Sequence, residues 1–189
     1  MSKYIFTKKT KTIAGVKLRQ IKAVVKFGSV VEGEIGGWIE KRKNLSENGD
    51  AWVSGNAKVY GDAWVYGDAK VYGDAKVYGD AKVYGDAWVS GDAWVYGNAS
   101  VYGNALVYGD ARVSIPIVNL IGCCRFSISA YFNNKSQKCV QIGCEMRTET
   151  AWKKIKKEKL IEMAGNEAEY LRCKTAFNFC VKLMQSRRG

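Results

Sequence analysis

A chain of 189 residues, 47% hydrophobic and 25% charged, is long enough to bury a core and corresponds to one domain or two small ones. Its 30 basic side chains outnumber 18 acidic ones, and it contains no histidine, the usual proton shuttle and zinc ligand at neutral pH. The most apolar stretch, residues 115–121, is too short for a membrane span and is interrupted by Pro116 and Asn119, and the lysine-bearing N-terminus lacks the apolar core of a signal peptide, so a cytoplasmic location is expected.

Residues 1–48 carry 11 basic and 4 acidic side chains. Two β-like runs, Tyr4-Ile5-Phe6-Thr7 and Val24-Val25-Lys26-Phe27, precede Gly33, Gly36 and Gly37. This segment is expected to cap the open end of the repeat region that begins at Gly49, because an uncapped solenoid presents an unpaired strand edge.

From Gly49 to Ser114 the chain divides without a gap into eleven hexads of the form G-D/N-A-x-V-Y/S. Within each hexad Ala and Val stand two apart and share one side of an extended strand, while x and Tyr share the other. Gly followed by Asp or Asn supplies a corner, since Gly tolerates positive φ and Asp or Asn bonds its own backbone. One hexad cannot bury its Ala and Val, but three close a triangular coil of 18 residues whose neighbours pair at about 4.8 Å. The period therefore predicts an all-β solenoid with an interior of alanine and valine.

Residues 18 apart then form columns on the outside. The first face carries Trp52, Lys70, Trp88 and Leu106, the second Lys58, Lys76, Trp94 and Arg112, and the third Trp64, Lys82 and Ser100. Two tyrosine columns, Tyr60-Tyr78-Tyr96 and Tyr66-Tyr84-Tyr102, run beside them. Such columns stabilise the coil through ring stacking and cation–π contacts, and an outward aromatic surface of this extent is also a candidate protein interface. Asp50, Asp62, Asp68, Asp74, Asp80, Asp86, Asp92 and Asp110 all occupy the same corner position, as a structural device does and a single catalytic site does not.

Residues 115–189 carry 14 basic and 6 acidic side chains and abandon the repeat. Phe126–Phe132 and Lys138–Ile142, joined at Asn133-Asn134, read as a β-hairpin. Two helices come next. Thr148 caps the first, with Trp152, Ile155, Leu160 and Met163 inward, and Gly165-Asn166 separates it from a second with the stripe Leu171, Phe177, Cys180, Val181 and Met184. The expected whole is a solenoid with a small α+β C-terminal cap. Lys153, Lys154, Lys156 and Lys157, with the terminal Arg187 and Arg188, form a basic candidate surface for an acidic partner or nucleic acid. All six cysteines (Cys123, Cys124, Cys139, Cys144, Cys173 and Cys180) lie in this part. Cys139 and Cys144 with Cys173 and Cys180 are a conceivable zinc set, but the last two are about 10 Å apart along a helix, so buried free thiols are expected, with neither metal nor cofactor.

The hexads resemble the hexapeptide-repeat proteins, whose fold is a left-handed parallel β-helix. Gly36-Gly37-Trp38-Ile39-Glu40 with Asn44-Leu45-Ser46, and Ile142-Gly143-Cys144-Glu145 ahead of Thr148 and Trp152, are similar to a bacterial and prophage group commonly labelled acyltransferase. That resemblance implies a trimer, a phage or mobile-element origin and a host partner such as a defence component. Acyltransferases of this fold use a histidine base, and solenoid carbonic anhydrases bind metal through three histidines; this chain has none. The expected function is thus a non-catalytic scaffold acting through a protein partner. The alternatives are an acyltransferase-like enzyme with another base, a nucleic-acid binder using the basic C-terminal part, and a protein that holds a ligand between subunits.

Overall fold

The computed structural model describes residues 2–114, 118–120, 124, 126, 128–133, 135–143 and 145–186. The chain divides into two compact units, residues 1–116 and 117–189. In the first unit the hexads wind as a β-solenoid. Short parallel strands pair 18 residues apart, Trp52 with Lys70, Lys70 with Trp88 and Trp88 with Leu106 on one face. On a second face Lys58 pairs with Lys76, Lys76 with Trp94 and Trp94 with Arg112, and on the third Trp64 pairs with Lys82 and Lys82 with Ser100. Backbone bonds join successive coils, as from Trp52 N to Ala69 O (3.0 Å) and from Lys70 N to Ala87 O (2.9 Å). Every Ala and Val of the hexads is buried. The corner glycines hold φ near +60° to +73°, and a Cβ on Gly79 would lie 3.0 Å from the nitrogen of Gly97 in the next coil, so the corners are closed to larger residues.

The first rung lies ahead of the hexads. Ile35–Ile39 runs parallel to the Lys58 strand, with Trp38 opposite Lys58, and a Cβ on Gly37 would sit 2.8 Å from the Ala57 carbonyl. A hairpin of Tyr4–Ile13 and Val16–Ala23 continues this face outward in antiparallel pairing. The first strand is longer than the expected Tyr4–Thr7, because Ala14 and Gly15, at φ of 48° and 80°, make a tight turn that keeps the lysine-rich stretch paired. Val24–Phe27 is not the second strand. Val16–Ala23 takes that place, and Phe27 and Val30 instead exchange bonds of 3.2 and 2.8 Å in a turn.

The cap satisfies the carbonyls that the first coil leaves open. Lys3 Nζ donates to Gly49 O (2.9 Å) and Ala51 O (3.0 Å), while Asn44 Nδ2 donates to Gly61 O (3.1 Å) and Ala63 O (2.8 Å). Backbone N–H groups of Trp38, Glu40 and Ser46 take the carbonyls of Ala57, Val59 and Val65. Burial, only partly offset by Glu47 and Asp50, pulls the Lys3 ammonium down from 10.5 to about 8. Between these values the unfolded chain retains a proton that the folded one has released, so the Lys3 contribution to stability rises with pH across this window and is lowest below it. Burial raises the Tyr4 phenol above its usual value of 10.0, and its opposing effect starts only above that pH. Urea unfolding of wild type and Lys3→Met between about pH 8 and pH 10 should differ in slope by up to about 1.4 kcal/mol per pH unit. Parallel pH profiles would refute this assignment.

The second unit packs an antiparallel sheet against helices. Val118–Leu120, Ile128–Asn133, Lys138–Ile142 and Glu145–Thr148 pair in that order. The expected hairpin is present, with Asn133 Oδ1 accepting from the nitrogens of Lys135 (3.0 Å) and Gln137 (2.9 Å); Asn134 lies outside the described residues. Thr148 caps the first helix by accepting from Ala151 N, but that helix is broken in two, α1 (Glu149–Lys153) and α2 (Lys157–Ala164). Lysines at 153, 154, 156 and 157 bring like charges to i,i+3 and i,i+4 spacing, which disfavours an unbroken helix. The break also frees Ile155, Leu160 and Met163 from a single helical phase, so that all three turn to the same hollow.

Gly165 ends α2 at φ 93°, and Asn166 opens α3 (Glu167–Ser186) by accepting from Glu169 N at 2.8 Å. Cys173, Ala176, Phe177, Cys180, Val181 and Met184 form the buried stripe of α3. Leu171 is not part of it and is 52% exposed, since two residues from Cys173 is about 200° around a helix; Tyr170, one turn before Cys173, is buried instead. No helix among the described residues is long and apolar enough to cross a membrane.

Candidate interaction surface

The 18-residue register builds both tyrosine columns as continuous stacks. Ring centroids of Tyr60 and Tyr78 lie 5.1 Å apart with planes 4° from parallel, and Tyr96 continues at 5.4 Å. Tyr66, Tyr84 and Tyr102 stack at 4.8 and 5.4 Å. These distances follow the coil spacing, so the backbone itself sets ring stacking. The rings shield one another, and burial raises the phenols of Tyr60, Tyr66 and Tyr78 above their usual range.

The four tryptophans of the columns have different environments. Trp52 is not outward in any useful sense: it is 3% exposed, with Phe27 edge-on at 5.4 Å and its Nε1 donating to Glu34 at 3.0 Å. The cap crosses this end of the face, which the hexad period cannot reveal. Trp94 is half-buried between the Lys76 ammonium (4.2 Å) and the Arg112 guanidinium (4.3 Å). Trp64 and Trp88 remain 42% and 47% exposed. Trp64 lies over Tyr66 at 4.1 Å, and Trp88 meets Tyr72 edge-on at 6.1 Å. Their two faces adjoin along the Tyr66-Tyr84-Tyr102 corner, so a tryptophan-bearing face lies on either side of that stack, with Trp64 packed on Tyr66 and Trp88 on Tyr72 at the far corner of its own face. Three of the corner aspartates serve as structural partners. Asp68 accepts from Asp50 N at 3.0 Å, Asp74 pairs with Lys58 at 3.6 Å, and Asp62 takes Lys41 and Lys43.

The basic residues of the second unit are less available than their sequence suggests. Lys153 pairs with Glu149 at 2.6 Å and Lys157 with Glu167 at 2.8 Å, while Lys154 and Lys156 are exposed. The hydrogen bond from Lys153, helped by Lys138, holds the Glu149 carboxyl below the usual range. Arg187 and Arg188 lie outside the described residues. The hollow faced by Ile155, Leu160 and Met163 is a cavity of about 470 Å³ whose wall also includes Trp152, Cys173 and Phe177, with Lys153 and Lys157 at the same site. Sequence reasoning missed it because it depends on the helix break.

The cysteine grouping differs as well. Cys139 and Cys180 are buried thiols outside any disulfide, whereas Cys123 and Cys144 lie outside the described residues. Cys173 meets Cys124 and Glu169, with one ligand atom of each within 4.8 Å of the others. Burial, reinforced by Cys124, pushes the Cys173 thiol up to about 12. The spacing of Glu169 and Cys173, one helical turn apart, is visible in the sequence; the arrival of Cys124 is not.

Stacked parallel rungs, an alanine–valine interior and aromatic outer columns define a β-solenoid repeat protein. The signature of the YdcK β-solenoid repeat matches residues 99–114, the last hexads of the coil. No curated protein matches the chain.

Proposed function

We propose that this protein is a non-catalytic scaffold whose solenoid presents the aromatic edge around Trp64, Tyr66, Tyr84, Tyr102 and Trp88 to a protein partner. The observation that carries this reading is the exposure of Trp64 and Trp88, with Tyr72 beside Trp88, on a coil where the other column tryptophans are covered or sandwiched. Large aromatics at the centre of a rigid surface are the side chains that contribute most to protein association. A parallel coil with a closed interior offers such a surface without a conformational change, which lowers the cost of binding.

The partner is isolated by capture on the wild-type protein and then measured against a Trp64→Ser/Trp88→Ser variant. Affinity should fall by at least about 10-fold, equivalent to one lost hot-spot contact, with the fold retained by circular dichroism at the assay temperature. Equal affinity of the two proteins would reject this surface. Consumption of acetyl-CoA with an acceptor by the wild-type protein would reject the non-catalytic reading, and light scattering separates a foreign partner from a second copy of the chain.

A further inference from the structure

Glu169 and Cys173 lie one turn apart on α3 and so share a helix face, and Cys124 reaches them from the segment ahead of Ile128–Asn133. Two thiol sulfurs and a carboxylate oxygen thereby converge within 4.8 Å of one another. In a tetrahedral zinc site with metal–ligand bonds of about 2.0–2.3 Å, the donors stand about 3.3–3.8 Å apart, so side-chain rotations of about 1 Å close the set around an ion. Both cysteines are buried, and the Glu169 side chain is only 14% exposed.

We propose that Cys124, Cys173 and Glu169 form a zinc site with three protein ligands. Two sulfur donors select zinc over magnesium or calcium, which take oxygen ligands. Arg172, whose guanidinium bonds Glu169 at 2.7 Å, orients the carboxylate. Cys173 also stands on the wall of the 470 Å³ cavity. Binding replaces each S–H bond with a sulfur–zinc bond and releases two protons to solvent, so affinity rises with pH.

The test uses the full chain, stripped with a chelator under reducing conditions and titrated separately with Zn²⁺ and Co²⁺. One equivalent of each should bind, and the cobalt form should show a thiolate-to-cobalt charge-transfer band with intense tetrahedral d–d bands. Cys124→Ser and Cys173→Ser should each weaken binding by at least about 100-fold and Glu169→Gln by about 10-fold, whereas Cys139→Ala should leave it unchanged. Circular dichroism checks that each variant folds; should the serine variants unfold, Glu169→Gln and the wild-type cobalt spectrum carry the decision. Absence of the charge-transfer band in the wild-type protein overturns the site. So do unchanged affinity in the folded variants and a Cys124–Cys173 disulfide found by peptide mapping of the freshly isolated, non-reduced protein, which would stand in place of a metal centre.

Discussion

Val77→Asp is expected to abolish cooperative folding of residues 1–116. Val77 is fully buried and continues an interior row with Val59 on one side and Val95 on the other. Interior rows of alanine and valine offer a carboxylate neither a cation nor a hydrogen-bond donor. The side chain must stay charged at a cost of several kcal/mol or take up a proton against its ordinary affinity. Either cost is comparable with the whole stability of a domain, about 5–15 kcal/mol. Each coil rests on its neighbours, so damage in the middle separates the coils above it from those below. Val77→Ala, which removes only methyl groups, should cost about 1–3 kcal/mol. Circular dichroism melting with limited proteolysis distinguishes these results, and a wild-type transition in Val77→Asp would place this side chain outside the core.

Asn44→Leu should cost about 3–5 kcal/mol although it fills the same space with apolar atoms. Asn44 is buried, donates to the carbonyls of Gly61 and Ala63, and accepts from Lys41 N at 2.9 Å. Leucine leaves two acceptors and one donor without partners at the end of the coil. Asn44→Asp sharpens the test, because a carboxylate can still accept from Lys41 but turns lone pairs toward the two carbonyls and should lose nearly as much. Urea denaturation with unchanged m-value measures the difference. Stability within about 0.5 kcal/mol of wild type in both variants would mean that water takes over the role of Asn44 at the coil end.

The hexads are readable in the sequence because their interactions repeat: a corner at every Gly, an inward Ala and Val, and an 18-residue return that places like columns together. Thr148 and Gly165-Asn166 are readable for a similar reason, since helix ends are signalled within a few residues. Val24–Phe27 misleads because apolar β-formers look alike whether they pair or turn, and Gly28 and the Phe27–Val30 turn decide otherwise. Leu171 falls outside the buried stripe, as its helical phase relative to Cys173 already requires. The fate of Trp52 cannot be read, because Phe27 reaches it from a distant part of the chain.

The amino-acid sequence by itself determined the solenoid, its alanine–valine interior and its stacked tyrosines, because each of these arises from a short period acting on neighbouring coils. Only the tertiary structure decided that Trp64 and Trp88 stay exposed while Trp52 is covered, and that Cys124 joins Glu169 and Cys173. Those outcomes depend on contacts between segments with no repeat relating them, where chain crossing and the shape of the packed core, rather than local spacing, fix which side chains meet.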